Sequence, residues 1–225
     1  MAKRGRNSKK LPDLKSYWLS AYAGSSPVSR KRYKMTDDAK SFLENLKRIK
    51  RGPAIILQKD IGAILGNTNI DKNSIVLDAG SGCGVLSINL ARFVKKVYSY
   101  DNRKDFLEIA MHNSEKFGMK NIIFRNLDVF EDIKEKNLDL ITLDLKDPWR
   151  ALDNCKKTLK KNGQLVVYLP NITQVHEFVN KLDKDFKIEK VIENIQREWI
   201  VDERRARPEN IGILHTGFLV FVEKR

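Results

Sequence analysis

From Asp60 onward the apolar residues alternate between short β-branched runs and stretches with helical spacing. The runs 75–79, 97–101, 122–127, 138–144 and 164–169 carry few charges before their last residue, as strands buried on both faces of a parallel sheet do. Between them, Leu86, Leu90, Ala91 and Val94 share one helical face. So do Phe106, Leu107, Ile109, Ala110 and Phe117, with Gly118 as a helix stop. A short helix over Ile61 to Leu65 is expected ahead of the first strand, and further helices over 149–160 and 172–183. Residues 186–200 and 215–223 are long and β-branched with no helix between them, which predicts an antiparallel pair ending the sheet. Upstream, Thr36 is placed to cap a helix running to Lys50, with Phe42, Leu43, Leu46 and Ile49 on one face and Gly52-Pro53 as the stop. The order is that of a doubly wound α/β domain.

The first strand runs into Val76-Leu77-Asp78-Ala79-Gly80-Ser81-Gly82-Cys83-Gly84. Glycines at alternate positions let a strand turn sharply into a helix while a ligand lies against bare backbone. The pattern is G-x-G-x-G, and Val85 stands where a dinucleotide fingerprint needs its third glycine. That departure points away from a pyrophosphate and towards S-adenosylmethionine, which has no phosphate to seat on a helix N-terminus. Asp101, at the tip of the second strand, is placed to accept hydrogen bonds from two ribose hydroxyls. Asp128, past the third, is placed to accept one from an adenine amine. Any one of these acids alone reads as a solvated strand end; three on successive strands read as a nucleoside crevice.

Charge then suggests the second ligand. Lys and Arg number 43 against 29 Asp and Glu, a net charge of +14, and nucleic acid is the natural partner of so basic a surface. A lysine-rich solubilising surface is the plainer alternative, but the acids do not balance the bases and the bases cluster. The 225 residues suffice for one α/β domain with a modest extension, and 41% hydrophobic content excludes wholesale disorder. No apolar run is long enough to span a bilayer and no signal-peptide core follows the basic start, so a cytoplasmic protein without a membrane partner is expected. Cys83 and Cys155 make neither a disulfide framework nor a metal site, three histidines add no cluster, and no metal is expected. Cys83 reads as a packing residue. Residues 1–50 are read as a basic, partly helical extension, beginning with a mobile arm over 1–10. There Tyr17, Trp18, Tyr22 and Tyr33 interleave with bases such as Arg30 and Lys31, suited equally to nucleic-acid stacking and to a hydrophobic latch.

Other segments are more specific: Arg51-Gly52-Pro53-Ala54-Ile55-Ile56-Leu57-Gln58-Lys59-Asp60, Leu143-Asp144-Leu145-Lys146-Asp147-Pro148-Trp149, Tyr168-Leu169-Pro170-Asn171, Arg197-Glu198-Trp199 and His215-Thr216-Gly217-Phe218. In this order, over residues 48–225, they resemble the tRNA (adenine-N1)-methyltransferase family of bacteria and archaea. That family methylates the T-loop adenine at tRNA position 58, and some archaeal members also modify position 57. The resemblance implies an α/β, Rossmann-like class I S-adenosylmethionine-dependent methyltransferase domain over 51–225, closed by a terminal antiparallel strand pair. It implies that Asp78, Gly80, Ser81, Gly82, Gly84, Asp101, Asp128 and Asp144 hold S-adenosylmethionine. Asp144 is then the active-site aspartate and Tyr168 the tyrosine beside it. The partner is tRNA, and the assembly a homotetramer. Two departures stand out. The family's small β-rich N-terminal domain has no counterpart in the basic extension, which affects both tRNA grip and assembly. Relatives also carry Tyr-Pro where this chain has Leu57-Gln58, which removes an aromatic wall and shifts which adenine is accepted.

Several of these residues also have structural readings. Asp147-Pro148 suits a helix start, with Asp147 as its cap, and Pro170-Asn171 a turn into a capped helix. Trp149 and Trp199 suit the core or a latch, and His215 a strand position without a catalytic partner. Arg204, Arg205 and Arg207 suit phosphate contacts. The competing functions are methyl transfer to another RNA base or to a protein, and a non-catalytic tRNA-binding subunit. The charge disfavours a protein substrate, and the retained glycines and acids disfavour a subunit without catalysis.

Overall fold

The structure, a computed structural model, describes residues 37–52, 55–210, 212 and 214–225. The basic arm, the aromatic segment before Thr36, Thr36 itself and Pro53-Ala54 lie outside the described residues. The chain divides into two units at Leu43/Glu44. In the first, residues from Asp37 open helix α1 (Asp37–Lys47), whose last turn belongs to the second. The second unit holds all the elements that follow.

The described strands of the main sheet are β1 (Ile75–Ala79), β2 (Lys96–Tyr100), β3 (Ile122–Arg125), β4 (Leu138–Leu143), β5 (Leu159–Leu169), β6 (Phe186–Glu193) and β9 (Phe218–Lys224). A separate hairpin joins β7 (Trp199–Val201) to β8 (Ala206–Pro208). The sheet order is β3-β2-β1-β4-β5-β9-β6, parallel from β3 to β5, with β9 antiparallel to both of its neighbours. The expected antiparallel pair is therefore present, but its second member enters the sheet between β5 and β6, leaving β6 at the edge.

Helices cover both faces: α2 (Gln58–Gly66), α3 (Val85–Leu90), α4 (Lys104–Lys116), α5 (Leu152–Thr158) after a 3-10 turn at Pro148–Ala151, and α6 (Ile172–Lys181). Because side chains alternate across a strand, each central strand feeds two cores. On one face Leu77, Ile141, Leu143 and Val167 meet Leu152, Cys155 and Phe178. On the other Val76, Leu140 and Val166 meet Ile61, Ile64, Leu86 and Leu90. Phe178 is fully buried on an otherwise largely exposed α6, and burial of such a side chain stabilises by about 1.5–3 kcal/mol.

Two of the boundaries that differ from the pattern reading have a cause in side-chain hydrogen bonds. The helix expected over 149–160 ends at Thr158, whose hydroxyl donates back to the Asn154 carbonyl at 2.8 Å, and β5 begins at once. The run 186–200 breaks after Glu193. There the Asn194 side chain donates to the Lys59 carbonyl at 2.6 Å, drawing the chain towards α2.

Candidate active site

Strand register lays the site out in a row. Ala79 is matched with Tyr100 and Leu143, and Leu143 with Val167. One residue further on, the four strands present Gly80, Asp101, Asp144 and Tyr168 along the carboxyl edge. The chain order reverses between β1 and β4, the place where open α/β sheets form their crevice.

The loop after β1 makes the expected sharp glycine turn, with φ of 90° at Gly80, 50° at Gly82 and 82° at Gly84. Gly80 and Ser81 both donate their amides to the Tyr100 carbonyl, at 2.9 and 3.0 Å. The Gly82 amide donates to Asp101 Oδ2 at 2.9 Å, and Asp101 Oδ1 accepts the Arg103 amide at the same distance. Each carboxylate oxygen keeps a second lone pair for a ligand hydroxyl.

Two depressions meet at Gly80. One is walled by Asp101, Asn102, Asp128 and the apolar Leu127, Val129, Phe130 and Leu145. The other lies under Ile55 and Ile56, between the glycine loop and Asp144. An extended ligand crossing Gly80 would find acids and an apolar slot at its nucleoside end and bare backbone beside its aliphatic end. That donor set fits S-adenosylmethionine. Asp128 holds the Phe130 amide at 2.9 Å and the Asn102 amide nitrogen at 3.3 Å, which fixes its carboxylate on the wall of the slot.

Asp78 is elsewhere. Expected to hold the cofactor, it lies one layer down, buried and outside the lining of both depressions. It accepts from Ser87 Oγ at 2.5 Å and from Thr142 Oγ1 at 2.8 Å. Ser87 continues through Ser99 to Ser81, at 2.7 and 2.6 Å, so a buried chain of hydroxyls runs from β4 to the glycine loop. Burial pushes the Asp78 carboxyl up to about 6, against the pull of its two hydroxyl donors. The pattern reading missed Ser87, Ser99 and Thr142. Their signal was hydroxyls at inward positions of otherwise apolar elements.

Asp144 is open to solvent, yet it sits on the floor of a cleft with protein close on most sides. Among the described residues no donor reaches its carboxylate, and this crowding raises the carboxyl to about 6. Tyr168 is half-buried, its hydroxyl donating to the Thr216 carbonyl at 2.6 Å. Burial is the main cause that raises its phenol.

Residues 48–217 match the family described as tRNA methyltransferase complex GCD14 subunit. The chain belongs to this family. It is 37% identical to the tRNA (adenine(57)-N(1)/adenine(58)-N(1))-methyltransferase TrmI of Methanocaldococcus jannaschii, over 80% of this chain and 74% of that protein. Identity to the tRNA (adenine(58)-N(1))-methyltransferase TrmI of Thermus thermophilus is 35%, over 80% and 73%. Among solved structures, the tRNA (m1A58) methyltransferase TrmI of Aquifex aeolicus superposes with a TM-score of 0.76 at 29% identity, covering 80% of this chain and 74% of that one. An S-adenosylmethionine-dependent O-methyltransferase of Thermotoga maritima gives 0.77 at 30%, covering 82% and 71%. The fold is thus the class I S-adenosylmethionine-dependent methyltransferase fold, and S-adenosylmethionine is the family's cofactor.

Several remaining expectations are revised. Trp149 does pack on the core, but Trp199 is 59% exposed on the hairpin. His215 precedes β9 and is paired. Its ring nitrogens face Glu193 Oε1 at 2.6 Å and the Pro170 carbonyl at 2.9 Å, which together hold its pKa up. Arg205 is taken by Asp202 at 2.5 Å, and Arg207 by Asn210 at 2.9 Å. Asp147 stands at the cap of the 3-10 turn with Pro148 behind it, although its side chain makes no capping bond.

Proposed function

We propose that this chain transfers a methyl group from S-adenosylmethionine to N1 of a T-loop adenine in tRNA, at position 58 with 57 as the second candidate. The carrying observation is Asp144, an open carboxylate that no donor among the described residues reaches, at the meeting of the glycine loop and the β5 tyrosine. When bound, S-adenosylmethionine would supply an electrophilic sulfonium methyl, whose carbon–sulfur bond breaks to leave a neutral thioether. Asp101 and Asp128 orient the nucleoside end, and the Asp78 hydroxyl chain keeps the glycine loop in place beneath it. Adenine N1 attacks with its in-plane lone pair and has no proton to lose, so a strong base is not required. The ring becomes cationic. Asp144 accepts a hydrogen bond from the N6 amine and stabilises that charge as it grows. Tyr168 forms a wall for a base turned out of the folded loop. Positioning supplies much of the remainder.

The net charge of +14 supports a tRNA partner, and a tRNA substrate implies a cytoplasmic location. No helix among the described residues is long and apolar enough to cross a membrane. We assign a homo-oligomer, a tetramer by family, in which the β6 edge with Ile188 and Val191, and the hairpin with Trp199 and Val201, are covered.

The test is transfer of labelled methyl to unmodified tRNA transcripts, with nucleoside analysis and mapping. N1-methyladenosine at 57 or 58 is expected; label in another nucleoside, or in protein, refutes the assignment. A pH profile follows from the raised Asp144 carboxyl. Above about pH 6 it is ionised in the free enzyme, so kcat/KM should level off there and fall about tenfold per unit below. In Asp144→Asn that acid limb should disappear; its persistence would assign the titration to another group, Asp78 first.

A further inference from the structure

Tyr168 is held from below by a buried ionic network that the reaction itself does not use. The Lys59 and Asp60 side chains, 6% and 1% exposed, form an ion pair at 2.9 Å at the start of α2. All three Lys59 protons find acceptors: Asp60 Oδ1, the Asn194 carbonyl at 2.5 Å and Thr216 Oγ1 at 2.6 Å. Thr216 Oγ1 in turn donates a hydrogen bond to Asp60 Oδ2 at 2.7 Å. The carbonyl of the same Thr216 receives the Tyr168 hydroxyl. Burying such a pair is a poor way to add stability, since desolvation offsets most of the attraction. What it fixes is geometry, because the fully bonded cluster allows Thr216 one position.

The next residue completes the seat. A Cβ on Gly217 would lie 2.6 Å from Tyr168 Cζ, 2.8 Å from its hydroxyl and 2.9 Å from Cε2. The ring therefore rests directly on backbone, closer than any other residue would permit. We propose that Lys59, Asp60, Thr216 and Gly217 are positioning residues that set the Tyr168 ring as the wall against which the target adenine is seated beside Asp144. This rests on the reading of Tyr168 given under the proposed function. The four residues come from two segments distant in sequence, and they reach Tyr168 at the carboxyl edge through both Thr216 and Gly217.

The experiment uses the full chain and measures single-turnover methyl transfer at saturating tRNA, with cofactor affinity determined separately by calorimetry. Gly217→Ala pushes a methyl into the ring, and a displacement near 1 Å costs about a hundredfold in rate. A loss of ten- to a hundredfold with cofactor affinity unchanged is expected. Thr216→Val, which keeps the carbonyl and loses the hydroxyl, should slow transfer in the same sense, and Thr216→Ser should restore it. Placed in a Tyr168→Ala background, Gly217→Ala should add nothing, because the ring it displaces is gone. An undiminished effect of Gly217→Ala in that background overturns the proposal. So does an unchanged rate in Gly217→Ala and Thr216→Val when Tyr168→Ala is slow. If Gly217→Ala does not fold, the Val and Ser variants of Thr216 decide the matter. A Tyr168→Ala enzyme as fast as the parent instead refutes the role of Tyr168 itself, and the proposal falls with it.

Discussion

Asp144→Ala should lower the rate of methyl transfer by about two to three orders of magnitude while leaving cofactor affinity within about tenfold of the parent. The reasoning begins with what the reaction lacks. Adenine N1 needs no deprotonation, so the transition state asks the protein for stabilisation of a growing positive charge and for a fixed approach. Among the described residues no donor reaches the open Asp144 carboxylate, whereas Asp101 and Asp128 already hold backbone amides. Its charge is worth more in a crowded cleft than in open water, and the same crowding raises its carboxyl. The backbone of Asp144 is independently anchored, its amide donating to the Ala79 carbonyl at 3.0 Å, so truncation should leave the strand end in place. Stopped-flow or quench measurement of one turnover, beside calorimetry of cofactor binding, checks the split. Loss of both together would make Asp144 a cofactor ligand first; loss of neither would remove it from the chemistry.

Most of what positions this site was legible as pattern. The glycine spacing, the strand ends and the helical faces reflect short-range rules, and they put Gly80, Asp101 and Asp144 where register later aligned them. Burial direction was less legible. Asp78 and Asp101 look alike as acids after apolar runs, but Asp78 is still within β1 and turns inward, while Asp101 lies one residue past β2 and faces the crevice. In register Asp78 is matched with Ser99, two residues short of Asp101, so the two acids differ in depth rather than in face, and only the pairing of β1 with β2 and β4 shows which lies inside the sheet. The Lys59–Asp60–Thr216 cluster was illegible for another reason: its partners are more than 150 residues apart and no local spacing links them. His215 was also missed, because its partner Glu193 ends β6 22 residues earlier and no local spacing links the two.

Gly80→Ala is the second large effect, and it should act on cofactor binding and on Asp144 at once. Gly80 has φ near +90°, where an L side chain costs about 1–2 kcal/mol before any contact is counted. Its Cβ would then lie 2.3 Å from the Asp144 carbonyl oxygen and 3.1 Å from the carbonyl carbon, both backbone atoms that cannot swing aside. Either the loop lifts or the end of β4 retreats, and overpacking of this kind adds about 1–3 kcal/mol. Lifting the loop breaks the hydrogen bonds that the Gly80 and Ser81 amides donate to the Tyr100 carbonyl and narrows the crossing between the two depressions. A retreat of β4 moves the Asp144 carboxylate away from the base. Gly82→Ala is the informative comparison, because its nearest atom is the Gly80 carbonyl oxygen at 3.9 Å and its penalty is mainly torsional. Cofactor titration and thermal melting of the two variants should give at least a hundredfold weaker binding and a lower melting temperature for Gly80→Ala, with a smaller loss for Gly82→Ala. Equal losses would mean that strain in the loop, rather than its contact with the end of β4, governs the site. A Gly80→Ala protein that binds S-adenosylmethionine normally would show that the cofactor does not cross this glycine.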